Sequence, residues 1–423
     1  MRLAYAATRL GLLAAFAACS TSAYTVLTHE AVLDAAWNTS IRRLLLKRFP
    51  DSTPEQLVKA HAYAYGGCII QDMGYYPFSS RLFSDLTHYV RSGDFVTALI
   101  RESHDVNEYA FALGALEHFV ADTVGHHLGT NRAVPILYPK LRRKFGNEIS
   151  YWDDPVAHVR TEFSFDVLQV ARGRYASEGY RDFIGFQVSR ELIERAFVDT
   201  YGMEMKDIFS NLGLAVGTYR HVVSAIIPAM TRVAWTIKSD QIQKEAPGLT
   251  RNKFLYNLSR AGYEKEWGKE YTKPGLGTRF LGWIFRILPA TGPFSALKIK
   301  TPTPEVDTIF MASFNATLER YTQLLANEEA GRLRLDNENF DVGGRTPVGK
   351  YKGTDETYAK LLDKLADHKF EKTRPDLRAN ILSFYSVLPP EPAGKRSKKE
   401  EAERAKLEAQ LDRLKAVPSE VAK

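Results

Sequence analysis

Thiols are almost missing from this 423-residue chain. It has 2 Cys, at Cys19 and Cys68, too few for a disulfide framework or for a zinc site built on thiolates. Long apolar runs are missing as well. The run from Leu10 to Ala18 is about half the roughly 20 residues that a membrane-spanning helix needs. Alternating β-branched residues are scarce, which argues against a sheet protein. Neither sign of charge dominates: 57 Lys and Arg face 50 Asp and Glu, a net +7 that permits an anionic partner without demanding one. What remains is 44% hydrophobic and 25% charged. That balance belongs to a folded globular protein and excludes a disordered, collagen-like or multi-span membrane chain.

Arg2 and Arg9 precede the short apolar run, and small residues follow it as far as Ser22-Ala23. This is the layout of a signal peptide over residues 1–23, which would make Tyr24 the first mature residue and the protein an exported one. A competing reading takes Phe16-Ala17-Ala18-Cys19 as a lipoprotein box with a lipid anchor on Cys19. From 24 to 237 the pattern is helical. Thr53-Pro54-Glu55-Gln56 opens one helix that stops at Gly66-Gly67. A second is expected from Val106 to His127, with Gly129 as its stop. Asp154-Pro155 opens a third with Val156, Val159, Phe163, Val167 and Val170 on one stripe. Two more are expected over 190–201 and 215–237. Residues 238–388 form an accessory helical and loop region in which Gly and Pro rise around 273–277 and 343–344. There, the Trp283 segment (280–288) is expected to pack on the first domain, a lipid-docking helix being the alternative. Residues 389–423 are a charged tail, helical and solvated or disordered. The fold class is all-α.

Eight of the ten His lie between His29 and His158. In His118-x-x-x-Asp122-x-x-x-His126 each side chain sits one turn above the last, offset by about 40°, so three metal-binding groups share one helix face. His127 is the alternative third group, but it points about 100° away. His158-x-x-x-Glu162 repeats the pattern on the third helix. Asp72 and His88 come from a loop and a helix end, and His29 opens the first helix. The donors are all nitrogen and oxygen, which suits Zn²⁺ in a catalytic role. So many donors on neighbouring helices point to a multinuclear site, the arrangement suited to phosphoester hydrolysis. His61 and His104 lack such partners and are read as structural.

These ordered motifs are Tyr24-Thr25-Val26-Leu27-Thr28-His29, the Asp72 loop, His88, His118-Phe119-Val120-Ala121-Asp122, His126 and His158-Val159-Arg160-Thr161-Glu162. With them the chain resembles the zinc-dependent phospholipase C superfamily. That all-α fold is shared with zinc-dependent single-strand nucleases and the catalytic domain of glycosylphosphatidylinositol-specific phospholipase D. The resemblance covers about 24–234 and implies three zinc ions. One would be held by Asp72, His88, His118 and Asp122, a second by His126, His158 and Glu162. The third would use His29, Asp122 and the free amine and carbonyl of Tyr24. The family's first residue is typically Trp; here it is Tyr, and only its backbone atoms would ligate. Asp72 would also accept a proton during catalysis. The Asp122-to-His126 spacing is closer to the phospholipase D relative, whereas Glu162 is the phospholipase C choice.

The implied function is a secreted zinc phosphodiesterase cleaving phospholipid head groups, with peripheral membrane contact and no stable nucleic-acid complex. Tyr75, Tyr76 and Phe78 are candidates for an apolar rim. A single-strand nuclease on the same scaffold, or a non-catalytic helical protein stapled by zinc, are the alternatives.

Overall fold

The computed structural model describes residues 25–171, 175, 185–223, 227, 299–386 and 398–417. The signal peptide, Tyr24, the 273–277 segment and the Trp283 segment lie outside these, as does most of the stretch beyond 223 in the helix expected over 215–237. Among the described residues there are helices and turns and no strand, and no helix is long and apolar enough to cross a membrane. In chain order the α-helices are α1 (Val26–Ala36), α2 (Arg42–Arg48), α3 (Pro54–Gly67), α4 (Arg81–Tyr89) and α5 (Ser92–Arg101). They continue with α6 (Val106–Gly125), α7 (Asn131–Leu137), α8 (Pro139–Phe145), α9 (Pro155–Ala171), α10 (Arg190–Tyr201) and α11 (Leu212–His221). The last four are α12 (Pro304–Glu329), α13 (Lys352–Asp367), α14 (Pro375–Phe384) and α15 (Lys398–Ala416).

Local chemistry accounts for several boundaries. α3 begins on a reciprocal cap: the Thr53 hydroxyl accepts from the Gln56 amide, and the Gln56 side chain accepts from the Thr53 amide. α6 begins at Asp105, whose carboxylate takes the amides of Asn107 and Glu108. α3 then crosses α6 at two glycines. A Cβ on Gly67 would lie 1.9 Å from the Phe111 carbonyl oxygen, and one on Gly114 would lie 2.1 Å from that of Ala64. The two backbones therefore touch, and α6 runs buried through the middle of the molecule.

α12 closes the other side of α6. Its buried Phe310, Phe314, Leu318 and Tyr321 belong to the same core as α3 and α6. The Tyr321 hydroxyl donates to the Leu113 carbonyl at 2.9 Å, and Phe310 stacks on Phe165 of α9 at 4.4 Å.

Three expectations need correction. Gly129 is no helix stop: after Gly125 the helix widens into a π turn, His126–Thr130, and runs on into α7. The glycine is there because a Cβ would meet the Ser313 hydroxyl of α12 at 2.6 Å. On α9 the apolar stripe defines only part of the inner face: Phe163 and Val167 are buried. Val156 is 53% exposed, whereas Ala157, His158, Thr161, Glu162 and Phe165 are buried. The charged tail is not simply solvated: α15 buries Leu411 and Leu414, and Arg378 of α14 donates to the Leu414 carbonyl at 3.0 Å.

Candidate metal centre

Five elements bring the titratable groups together. α6 supplies His118 and Asp122, with His126 one turn further on; the His126 amide still bonds to the Asp122 carbonyl, so the π widening begins beyond it. α9 supplies His158 and Glu162. α1 supplies His29, and α9 also holds that helix in place: Asp166 accepts from the Leu27 amide at 3.2 Å and from the Thr28 hydroxyl at 2.7 Å. Asp72 sits on a 3₁₀ turn, Ile70–Tyr75. Its neighbour Gln71 donates to the Ala115 carbonyl of α6 at 2.9 Å, and Ser84 of α4 accepts from the Gly74 amide at 2.8 Å. α4 ends with His88.

The side chains converge in three groups, each with its ligand-type atoms within 4.8 Å of one another: His29, His118 and Asp122; Asp72, His88 and His118; His126, His158 and Glu162. His118 is common to the first two, and Asp122 reaches His29 at 3.7 Å, His88 at 3.5 Å and His118 at 3.4 Å. His88 lies 3.2 Å from Asp72. In the third group Glu162 is 2.8 Å from His158 Nδ1 and 3.5 Å from His126 Nε2. All eight residues are at most 1% exposed. Of the nine sequence candidates, Tyr24 alone lies outside the described residues. His127 is half-buried and in none of the groups. His61 bonds to Asp34 at 2.9 Å and stacks on Trp37, and His104 is exposed, so neither joins the cluster.

The tautomers follow from the outward hydrogen bonds. His88 Nδ1 faces the Ser84 carbonyl at 2.8 Å, His118 Nδ1 that of Cys68 at 2.9 Å, and His126 Nδ1 that of Phe340 at 2.8 Å. A carbonyl can only accept, so each Nδ1 carries a hydrogen and each Nε2 is the nitrogen turned inward toward the carboxylates. His29 Nδ1 faces the Glu117 carboxyl at 3.0 Å. His158 is turned over: Asn131 donates its amide to the Asp341 carbonyl, its oxygen therefore accepts from His158 Nε2 at 3.0 Å, and Nδ1 is the bare nitrogen. His88 Nε2, His118 Nε2, His126 Nε2, His158 Nδ1 and Glu162 Oε1 have no hydrogen-bond partner.

Acceptors thus face acceptors among buried side chains, an arrangement that costs several kcal/mol unless a cation or protons stand between them. The titration behaviour follows the same logic. Burial pulls His88 and His126 down, but the carboxylates around them raise them to about 10 and about 9. Burial raises Asp72 to about 8. It opposes ionisation of Asp122 too, yet His118 and His88 hold that carboxyl well below the usual range. Divalent ions displace such protons, and a donor set of imidazole nitrogens and carboxylate oxygens is what Zn²⁺ takes. The residues fit the metal.

A family model described as zinc dependent phospholipase C matches residues 28–211. This part of the chain belongs to the zinc-dependent phospholipase C superfamily, and the eight converging residues all lie within it. No curated protein and no solved structure matches the chain.

Sequence reasoning missed the groups behind the cluster: Glu117, Asn131, Phe340 and Asp341. Glu117 carried a signal, as a carboxylate inside the apolar run of a buried helix. Phe340 and Asp341 carried none, since they sit in an irregular stretch far along the chain.

Proposed function

We propose that the chain is an exported zinc-dependent phosphodiesterase that hydrolyses phospholipid head-group phosphodiesters at a centre of three zinc ions. The single observation that supports this reading is the buried cluster of imidazole nitrogens and carboxylate oxygens aimed at one another. Stapling helices together requires one such group, not three, two of which share His118. Bound zinc would lower the pKa of a water and stabilise charge on phosphoryl oxygens. Asp122 would bridge two ions, with His29 and the freed Tyr24 amine on one, and Asp72, His88 and His118 on the other. His126, His158 and Glu162 would hold the third. Asp72, whose carboxyl burial already biases toward holding a proton, would accept one from the attacking water.

Removal of residues 1–23 would create the Tyr24 amine. Phe78, 62% exposed and three residues beyond the Tyr75 ring that packs edge-on against His88 at 5.7 Å, would meet the lipid surface. The test is metal analysis and N-terminal sequencing of the mature protein, with release of phosphorylated head group from phosphatidylcholine followed beside release of nucleotides from single-stranded DNA. Three zinc ions, a Tyr24 terminus and head-group release are expected. Nucleotide release alone would assign a nuclease, and zinc without either product would leave a stapled helical protein.

A further inference from the structure

The family match ends at residue 211, yet the cage is completed by a loop more than a hundred residues later. Asn339, Phe340 and Asp341 are all but fully buried. The loop is anchored at several points. The Phe340 amide donates to the His88 carbonyl at 3.1 Å, Ser92 of α5 donates to the Glu338 carbonyl at 2.7 Å, and Asn337 accepts from the Asp94 amide at 3.0 Å. The Asn339 side chain accepts from the Asp341 amide at 2.9 Å and donates to Thr354 at 3.0 Å. The Phe340 ring lies 4.8 Å from that of His88 and 5.9 Å from that of His118.

Both imidazoles of the third group depend on this loop. The Phe340 carbonyl takes the His126 Nδ1 hydrogen, and Asp341 Oδ1 stands 3.6 Å from the same nitrogen. Asp341 Oδ2 is held by the hydroxyls of Tyr89 and Tyr351, which aim the carboxylate at the ring. The Asp341 carbonyl accepts from Asn131 at 2.6 Å, which orients the amide that sets the His158 tautomer.

We propose that Asp341 is the positioning residue for His126, so that the metal position formed by His126, His158 and Glu162 is built partly by a segment outside the phospholipase C-like region. This rests on the zinc reading above. Asp341 acts through its charge beside the ring and through the Tyr89 and Tyr351 bonds that fix the loop, while the Phe340 carbonyl takes the Nδ1 hydrogen; loss of a group behind a ligating imidazole commonly weakens metal binding ten- to a hundredfold.

The experiment uses the full chain with Asp341→Asn and Asp341→Ala, the former keeping size and shape in case the latter fails to fold. Zinc retained per chain is measured across a series of buffered free-zinc concentrations. The expected result is one ion per chain lost at ten- to a hundredfold higher free zinc than in the wild type, with the other ions unmoved. In a His126→Ala background, Asp341→Asn should change nothing further. Variants that release every ion with the wild-type profile, or that loosen all ions alike, overturn the role of Asp341 even if their melting temperature falls. A wild-type chain that takes up no zinc overturns the functional reading itself and this inference with it.

Discussion

His118→Ala tests the shared cage most directly. His118 belongs to two of the three groups, whereas the His126 group shares none of its members with the others. Removing the ring should therefore strip two zinc ions and leave one. Two stability effects separate cleanly. The Cys68 carbonyl loses its donor at 2.9 Å, costing about 1–3 kcal/mol whether or not metal is present. Each lost ion costs a further ~2.7 kcal/mol when free zinc is a hundredfold above its dissociation constant, so about 5 kcal/mol for two. Urea unfolding of wild type and variant, each in zinc and in chelator, reads both terms: a gap of about 1–3 kcal/mol in chelator should widen by about 5 kcal/mol in zinc. Turnover should fall more than the 10–100-fold typical of losing a group behind a ligand. A variant that keeps all its zinc and full turnover, or a gap that is the same in both media, refutes the assignment.

Gly114→Ala places a methyl 2.1 Å from the Ala64 oxygen and should destabilise by about 1–3 kcal/mol as α3 and α6 are forced apart. Gly217→Ala on the exposed face of α11 meets nothing within 4 Å and should stabilise by about 0.5–1 kcal/mol; thermal melts of the two variants check the pair. Tyr321→Phe removes the donor to the Leu113 carbonyl. It should cost about 1 kcal/mol in urea unfolding, with zinc content unchanged by metal analysis. Phe78 is exposed and adopts φ 64°; Phe78→Gly should raise stability by about 1 kcal/mol. The same substitution should weaken sedimentation with phosphatidylcholine vesicles about tenfold or more, the loss expected when a buried aromatic is removed from lipid.

The legible part of this molecule was the part written at short range. An i, i+4 spacing is a statement about one helix face, so His118, Asp122 and His126 could be grouped before any coordinates, as could His158 with Glu162. The reciprocal cap at Thr53 follows from equally local chemistry. Where two backbones touch, the same signals mislead. Gly129 has the look of a helix terminator because a terminator and a close helix crossing both require the missing Cβ, and only the position of Ser313 tells them apart. Val156 reads as core because periodicity assumes that the inner face of a helix is apolar, whereas α9 turns His158 and Glu162 inward. Asp341 and Phe340 are the extreme case: no spacing links them to His126, 214 residues away from Phe340. What ties them to the cluster is the need of each clustered imidazole for an acceptor on its far side, a need that any part of the fold passing behind the ring can meet. For His88 that acceptor is one turn back on its own helix, for His29 it is a carboxylate on α6, and for His126 it is the loop before α13. The site therefore extends past the limit of the matched region, and a chain ending at residue 211 would hold the His126 ring with its Nδ1 hydrogen unpaired.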